Sequence, residues 1–427
     1  MASTPVCVED FEPYLKAGVS DFVWGYYRSG ADGEQTLRDN PRAFQRYRLR
    51  PRCLRDVSQR DTSTSILGHR LAFPVGVSPT ACHCFAHKDG EVATAKGISS
   101  VGSAMILSMW SNRTLEDVAA SVPPDTPLLL QLTILRDRFR VEATIRRAER
   151  AGFRALVVTV DEPMLGKRAH YQDWEFDVRD IAFPQILLPG ERYIVDQIPF
   201  SDSRTWNEIL WLKQLTSLPI VLKGILTAED AVEAVRHGAA GILVSNHGGR
   251  QLDGVPATID VLAEIVNAVR GSGVEVYLDG GVRKGTDVLK ALALGARAVF
   301  IGRPALWGLA YDGAKGVEKV LGILKEEFSL AMALSGHFLE PPLIVLKDEK
   351  TALSRVHIQV PSLSLHACAS VLLSASENIP KEKNQCRDAG TEGGSEAERT
   401  PRPTLVLAGG RPHKDWFWKQ SLARRRS

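Results

Sequence analysis

The stretch Pro219-Ile-Val-Leu-Lys-Gly-Ile-Leu-Thr-Ala-Glu-Asp-Ala-Val-Glu-Ala-Val-Arg-His-Gly-Ala-Ala-Gly-Ile-Leu-Val-Ser-Asn-His247 holds one complete structural repeat. An apolar run, Pro219–Gly224, leads into a helical pattern over Ala228–Gly238. A second apolar run, Gly241–Asn246, follows. Runs that are apolar on both faces fit strands covered on both sides. Strands alternating with helices imply βαβ units and a parallel sheet.

Outward from this repeat, similar runs recur at Pro74–Pro79, Ala104–Ser108, Leu128–Thr133, Ala155–Asp161, Glu275–Gly280 and Ala298–Arg303. Helical patterns over Thr114–Ala120, Arg138–Ala151, Ile259–Val269 and Asp287–Gly295 separate most of them. Eight such units predict an α/β fold, a closed (β/α)8 TIM barrel. An open doubly wound sheet would favour a Gly-x-Gly-x-x-Gly turn after its first strand, and none stands there. Residues 1–70 read as an N-terminal helical segment packing on the barrel, with Tyr26–Ala31 closing an early helix. The barrel is expected over 71–336. Residues 337–427 follow neither pattern.

Composition narrows the class. The 427 residues are 44% hydrophobic and 24% charged, ordinary for a globular protein. A net charge of +3 gives no argument for a nucleic-acid partner. No window reaches the roughly 20 apolar residues that span a bilayer, and the N-terminus lacks a secretory pattern. Six cysteines in a chain this long suggest a reducing compartment. Cys82-His83-Cys84 with His87 superficially resembles a metal site, but structural zinc needs a second, distant ligand pair. No metal is expected.

The expected strand ends carry chemistry: Ser78 and Thr80, Ser108, Gln131, Thr159 and Asp161, Lys223, Ser245 to His247, Asp279, Gly302 and Arg303. This fold keeps its active site at the C-terminal ends of the strands. Val244-Ser-Asn-His-Gly-Gly-Arg-Gln-Leu-Asp253 is the most pointed case. His247 can take a proton near neutral pH. Arg250 can grip a carboxylate through two parallel hydrogen bonds. Gly248 and Gly249 allow a sharp turn between them. Alone, such a pair reads as a strand end facing water; with the other strand ends it suggests a site for a small carboxylic acid. Asp279-Gly-Gly-Val-Arg283 and Gly302-Arg303-Pro304 follow the last two strands, where barrels of this kind commonly hold phosphate. Met164–Asp202 is a long irregular segment expected over the active face, with Arg168 at its base as a second candidate carboxylate ligand. In the tail, Leu363–Ser376 reads as a short helix and Gln385–Pro403 as disordered. Trp416-Phe-Trp418 and Arg424-Arg-Arg426 read as part of a disordered end.

These stretches resemble the FMN-dependent α-hydroxy acid oxidase and dehydrogenase family. The motifs are Tyr26–Ala31, Thr159-Val-Asp161, Leu222–Leu226, Val244–Asp253, Tyr277–Gly295 and Ile301–Pro304. The resemblance runs from about residue 7 to Gly336 and is strongest to the glycolate (2-hydroxyacid) oxidases. It implies FMN as cofactor and oxidation of small 2-hydroxy acids to 2-oxo acids, with O2 reduced to H2O2. It implies His247 as catalytic base with Asp161 orienting it, and Arg250, Arg168 and Tyr26 on the substrate carboxylate. Pro79, Thr80, Ala81, Ser108, Gln131, Thr159 and Ser245 are implied along the isoalloxazine, with Lys223 at its N1–C2 carbonyl edge. Asp279, Gly280, Gly281, Val282, Arg283, Gly302 and Arg303 are implied at the ribityl phosphate. It further implies a homo-oligomer, commonly a tetramer, and a peroxisomal location.

Three departures qualify the likeness. The family's Gln-x-Tyr is Gln131-Leu132-Thr133 here, so Thr133 stands where a tyrosine contacts substrate. The segment between the fourth and fifth strands is shorter. The last residues, Arg424-Arg-Arg-Ser427, replace a Ser-Lys-Leu-type import tripeptide, which leaves a cytoplasmic location open. Two other readings stand beside the oxidase: a catalytically weak flavin-binding homologue, and a hydroxy acid dehydrogenase with another electron acceptor.

Overall fold

The computed structural model describes residues 4–168, 183–188, 191, 201–336 and 345–347. Every described residue belongs to one compact unit within residues 1–361. Much of the expected Met164–Asp202 segment and all of the tail features from Leu363 onward lie outside the described residues.

Eight parallel strands close into a barrel: β1 (Val75–Val77), β2 (Met105–Leu107), β3 (Leu128–Leu132), β4 (Leu156–Thr159), β5 (Ile220–Ile225), β6 (Gly241–Val244), β7 (Glu275–Asp279) and β8 (Ala298–Ile301). They follow in chain order around the ring, and β8 pairs with β1 to shut it. All eight expected strands are present, seven within the runs read from sequence and β5 ending one residue past Pro219–Gly224. The expected helices appear at Leu115–Ala120, Arg138–Arg150, Ala228–Arg236, Thr258–Ala268 and Gly285–Ala293. Helices at Gly90–Ser100, Asn207–Leu215 and Arg303–Leu334 complete the ring. The last is kinked at Asp312 and Gly313, whose backbone leaves the helical region.

Strand periodicity sorts the side chains into layers. Ile106, Leu129, Val157, Val221, Leu243, Tyr277 and Phe300 form one buried interior cluster. Their strand neighbours Leu107, Leu130, Val158, Leu222, Val244, Leu278 and Ile301 belong to a second cluster, packed against the helices. Successive strand residues face opposite sides, so the positions two beyond each interior residue also face inward. Those positions are Ser108, Gln131, Thr159, Lys223, Ser245, Asp279 and Gly302, with Ser78 two beyond Gly76. An apolar layer thus fills the barrel, and a polar layer lies on it at the C-terminal rim. The opposite end is closed by a hairpin, Thr64–Ile66 with His69–Leu71, whose Ile66 and Leu71 join the interior cluster.

The N-terminal helices Asp21–Arg28 and Gln35–Ala43 lie against the loop after β6. Gln35–Ala43 starts on Glu34 in the left-handed region, and no local side chain caps it. Asp253 supplies the cap instead, its carboxylate accepting from the Gln35 and Thr36 amides at 3.1 and 2.9 Å. A carboxylate on the first N–H groups satisfies orphan donors and complements the helix dipole. Asn40 and Asn246 exchange amide hydrogen bonds at 2.9 and 2.7 Å. These contacts bring Tyr26 and its neighbours to the rim.

Candidate active site

After β6 the chain turns through three consecutive left-handed residues, His247, Gly248 and Gly249, at φ 58°, 65° and 74°. A non-glycine residue is uncommon there, and such outliers gather at functional sites. The turn carries His247 Nδ1 to 3.1 Å from Asp161 Oδ1. Asp161 comes from the loop after β4, and Gly224 of β5 makes room for it. A Cβ at Gly224 would sit 2.6 Å from the Asp161 Cβ and Cγ, and its φ is 113°. Gln251 holds the same loop, donating to the Asp161 and Met164 carbonyls at 3.0 and 2.8 Å.

Burial would raise the Asp161 carboxyl, but the Lys223 ammonium and His247 outweigh it and hold the group below its ordinary value. An opposite charge nearby favours the ionised form. Asp161 is therefore a carboxylate throughout the neutral range. Its hydrogen bond fixes the imidazole proton on Nδ1 and turns Nε2 outward as the basic nitrogen.

Arg250 is pinned by its Nη1, which donates to the Tyr26 and Ser29 carbonyls at 2.6 and 3.0 Å. Its guanidinium lies 5.2 Å over the Tyr26 ring, within cation–π range. Arg168 is buried, its Nε 3.4 Å from the Arg250 carbonyl. Arg303 is part-buried, donating to the carbonyls of Tyr27, Gly248 and Ser29 at 2.9, 3.1 and 3.1 Å. The end of helix Asp21–Arg28 thus presents its last carbonyls to two arginines, as the negative pole of a helix should.

These cations reinforce one another's cost. Burial drives the Arg303 guanidinium well below its ordinary value, and Arg250, Arg283 and Arg168 push it further, while Glu12 opposes. Arginine does not deprotonate in proteins. The grouped guanidinium charges form a field suited to anions. Beside them, Gly280 and Gly281 turn at φ 90° and 94°. A Cβ at Gly281 would stand 2.4 Å from the Asn40 carbonyl oxygen. Thr80 and Gly302 adjoin across the β8–β1 seam, since a Cβ on Gly302 would lie 3.6 Å from the Thr80 methyl. Asp279 accepts from Ser78 at 2.9 Å through Oδ2, while its buried Oδ1 has no protein partner. Glycine-exposed amides, an arginine field and an unsatisfied polar atom together fit a phosphorylated group with hydroxyls.

The polar layer between these ends is a connected network. Gln131 Oε1 accepts from the Ser108 hydroxyl and the Met109 amide at 3.1 Å each. Its Nε2 donates to Thr133 at 3.1 Å and to Thr159 at 3.0 Å. Thr133 is fully buried, and its hydroxyl also accepts from Trp110 Nε1 at 3.1 Å. Trp110 meets Phe183 edge to face at 5.5 Å. The sequence-predicted residues therefore gather at one rim. Thr133, expected at the substrate, is tied to Gln131 and Trp110. Removing its hydroxyl in Thr133→Val should strand both donors and cost about 1–3 kcal/mol, which urea unfolding would measure. Sequence reading missed Asp253, Asn40, Trp110 and the carbonyls of residues 26–29. Asp253 lies within the quoted motif, the one visible signal among them.

The described residues contain no group of His, Cys, Asp and Glu arranged to hold a metal. No helix among them is long and apolar enough to cross a membrane.

The family model for FMN-dependent dehydrogenase matches residues 15–338. The chain is 51% identical over 347 residues to 2-hydroxyacid oxidase 1 of Mus musculus, covering 78% of this chain and 93% of that protein. It is 45% identical to glycolate oxidase of Spinacia oleracea, covering 77% and 91%. It is also 45% identical to an L-lactate oxidase of Nostoc, covering 78% and 95%. Among solved structures, a mandelate oxidase mutant with (S)-mandelic acid superposes at a TM-score of 0.71. That pair shares 38% identity over 81% of this chain and 99% of the other.

Proposed function

The chain belongs to the FMN-dependent dehydrogenase family, and on that footing we propose that it oxidises small 2-hydroxy acids at the rim built around His247, Asp161 and Arg250. The enzyme is an FMN-dependent 2-hydroxy acid oxidase, as its relatives are. The observation that carries the site assignment is the His247–Asp161 pair at 3.1 Å facing an arginine field.

The arginine field, the turns at Gly280 and Gly281, and the orphaned Asp279 Oδ1 fit FMN. Arg283, Arg303, Gly281 and Gly302 would hold its phosphate. Ser108, Gln131, Thr159 and Ser245, with Pro79, Thr80 and Ala81, would line its ring. When bound, FMN supplies the two-electron acceptor and delivers those electrons onward to O2, giving H2O2.

The chain's own residues do the rest. Arg250 and Arg168 bind the substrate carboxylate, and Tyr26 adds a hydrogen bond. Fixing both ends of a small acid converts a bimolecular encounter into an oriented one. His247 Nε2 takes a proton from the substrate carbinol. Asp161 keeps Nδ1 protonated and balances the imidazolium that forms, as carboxylates do for catalytic histidines. Lys223 holds positive charge beneath the rim, where electron density grows as the acid is oxidised. Trp110 at the same rim is steadied by Thr133 and Phe183. The family reading carries with it a homotetramer working in the peroxisome.

One titration tests the whole assignment. The purified protein should be yellow, and anaerobic glycolate, lactate or a longer 2-hydroxy acid should bleach its flavin absorbance. Air should then restore the colour with release of peroxide. Protein that stays colourless with added FMN would refute the cofactor site. Bleaching without reoxidation by air would refute O2 as acceptor, and bound flavin that no 2-hydroxy acid reduces would mark a catalytically weak homologue.

A further inference from the structure

His83 is fully enclosed, and the mechanism above does not use it. It lies just past Thr80, in the short helical turn His83–Phe85. Its Nδ1 is 2.9 Å from the Thr94 hydroxyl. Its Nε2 meets the Thr80 hydroxyl. Its backbone amide donates to the buried carboxylate of Glu91 at 3.0 Å. Both ring nitrogens are therefore held by threonine oxygens, with a fixed backbone anchor.

Hydrogen-bond bookkeeping decides which nitrogen carries the proton. The Thr94 hydroxyl has two acceptors in reach: His83 Nδ1 at 2.9 Å and the Gly90 carbonyl at 3.5 Å. The shorter contact is much the stronger, so Thr94 donates to Nδ1. A neutral imidazole then bears its proton on Nε2. Burial pushes the imidazole below its ordinary value, against the Glu91 charge and a backbone hydrogen bond at Thr80. Thr80 Oγ1 accepts from the Nε2 proton, so its own hydrogen must point elsewhere. Thr80 lies beside Gly302 at the mouth of the β8–β1 seam.

We infer that His83 is a positioning residue that fixes the Thr80 hydroxyl as a hydrogen-bond donor toward the flavin. The chain Thr94 to His83 to Thr80 carries donor polarity from a helix outside the barrel to the rim. A donor held against a ring carbonyl favours the form of the cofactor with more electron density there, which is the reduced form. His83 therefore biases the flavin's redox equilibrium without touching it. This inference rests on the assignment of the Thr80 region to the flavin.

The test is the flavin reduction potential of the FMN-loaded protein, measured against a reference dye. His83→Leu leaves Thr80 free to rotate. The ratio of affinities for reduced and oxidised FMN should fall by about two- to tenfold, the worth of one neutral hydrogen bond. His83→Gln can donate to Thr80 through its amide nitrogen and accept from Thr94 through its oxygen, so it should restore the native ratio. Nitrogen-15 NMR of labelled histidine should report the Nε2-protonated tautomer, with or without substrate turnover. Should His83→Leu fail to fold, Thr94→Val breaks the chain one step earlier and should move the potential the same way. Equal potentials in folded, FMN-bound variants would overturn the inference, and so would an Nδ1-protonated tautomer. Failure of the unmodified protein to bind FMN would instead refute the underlying functional reading.

Discussion

Replacement of His247 by glutamine is expected to lower kcat by about 10²- to 10⁴-fold, the usual contribution of a positioned general base. Glutamine can still accept from neighbours, but it cannot take the substrate's proton. The cofactor region should survive, because among the described residues the hydrogen bonds of His247 run from its ring to Asp161 and from its amide to Ser245 Oγ at 3.1 Å. The variant should remain yellow, and its KM should change far less than its kcat, since an interaction needed only in the transition state leaves ground-state binding intact. Stopped-flow flavin bleaching under anaerobic conditions isolates the chemical step. A bleaching rate within threefold of the unmodified enzyme would remove His247 from the reaction. The pH dependence has a definite sign. The Asp161 carboxyl is held below its ordinary value in the folded protein. Its contribution to stability is present above the ordinary carboxylate range, near 3.9, and is lost as pH falls through the lower folded value. Loss of activity between about pH 7 and 5 therefore does not come from protonation of Asp161.

The barrel was legible because its strands have one cause. Each is enclosed on both faces, so each reads as a short continuous apolar run, and Gly241–Val244 or Ala298–Ile301 could hardly be anything else. Helices were readable where one face meets solvent, as in Arg138–Arg150. Gly90–Ser100 escaped because seven of its eleven residues are buried: Gly90, Glu91, Ala93, Thr94, Ala95, Gly97 and Ile98. A helix enclosed on most sides loses the periodic contrast that marks it in sequence. Its packing is close enough that a Cβ on Gly97 would lie 2.4 Å from the Ala314 carbonyl oxygen. The N-terminal segment's contribution was illegible for another reason. Asp253 and Thr36 are 217 residues apart, and no local pattern announces a cap supplied by a distant loop.

The site shows the same division. His247, Arg250 and Lys223 could be named because they fall on strand ends that converge on one rim and within motifs that resemble a known family. What they do depends on partners that sequence does not display. Asp161 is a base-orienting carboxylate only because Gly224 leaves room beside it. Thr133 is placed by contacts that sequence does not display: just past β3, its hydroxyl joins the polar network with Gln131 and Trp110.

Arg250→Lys should be the second most damaging change, although it preserves charge. The guanidinium does two jobs at once. Nη1 is anchored on the Tyr26 and Ser29 carbonyls, and this anchoring fixes the plane of the guanidinium. An ammonium has no such plane, and its stem must choose between the carbonyl anchors and the substrate. Charge-assisted hydrogen bonds contribute about 1.5–3 kcal/mol each, so loss of a two-bond grip should reduce kcat/KM by about 10²- to 10⁴-fold. Most of the change should fall on KM, because the carboxylate is held before and during the reaction alike. The distinction from His247→Gln is the internal control, one variant failing in turnover and the other in capture. Saturating 2-hydroxy acid should recover much of the Arg250→Lys rate, whereas a substrate ester, which lacks the carboxylate charge, should barely distinguish the variant from its parent. If ester and acid lose equally, Arg250 serves the N-terminal helix alone, and the substrate's anchor must be sought at Arg168.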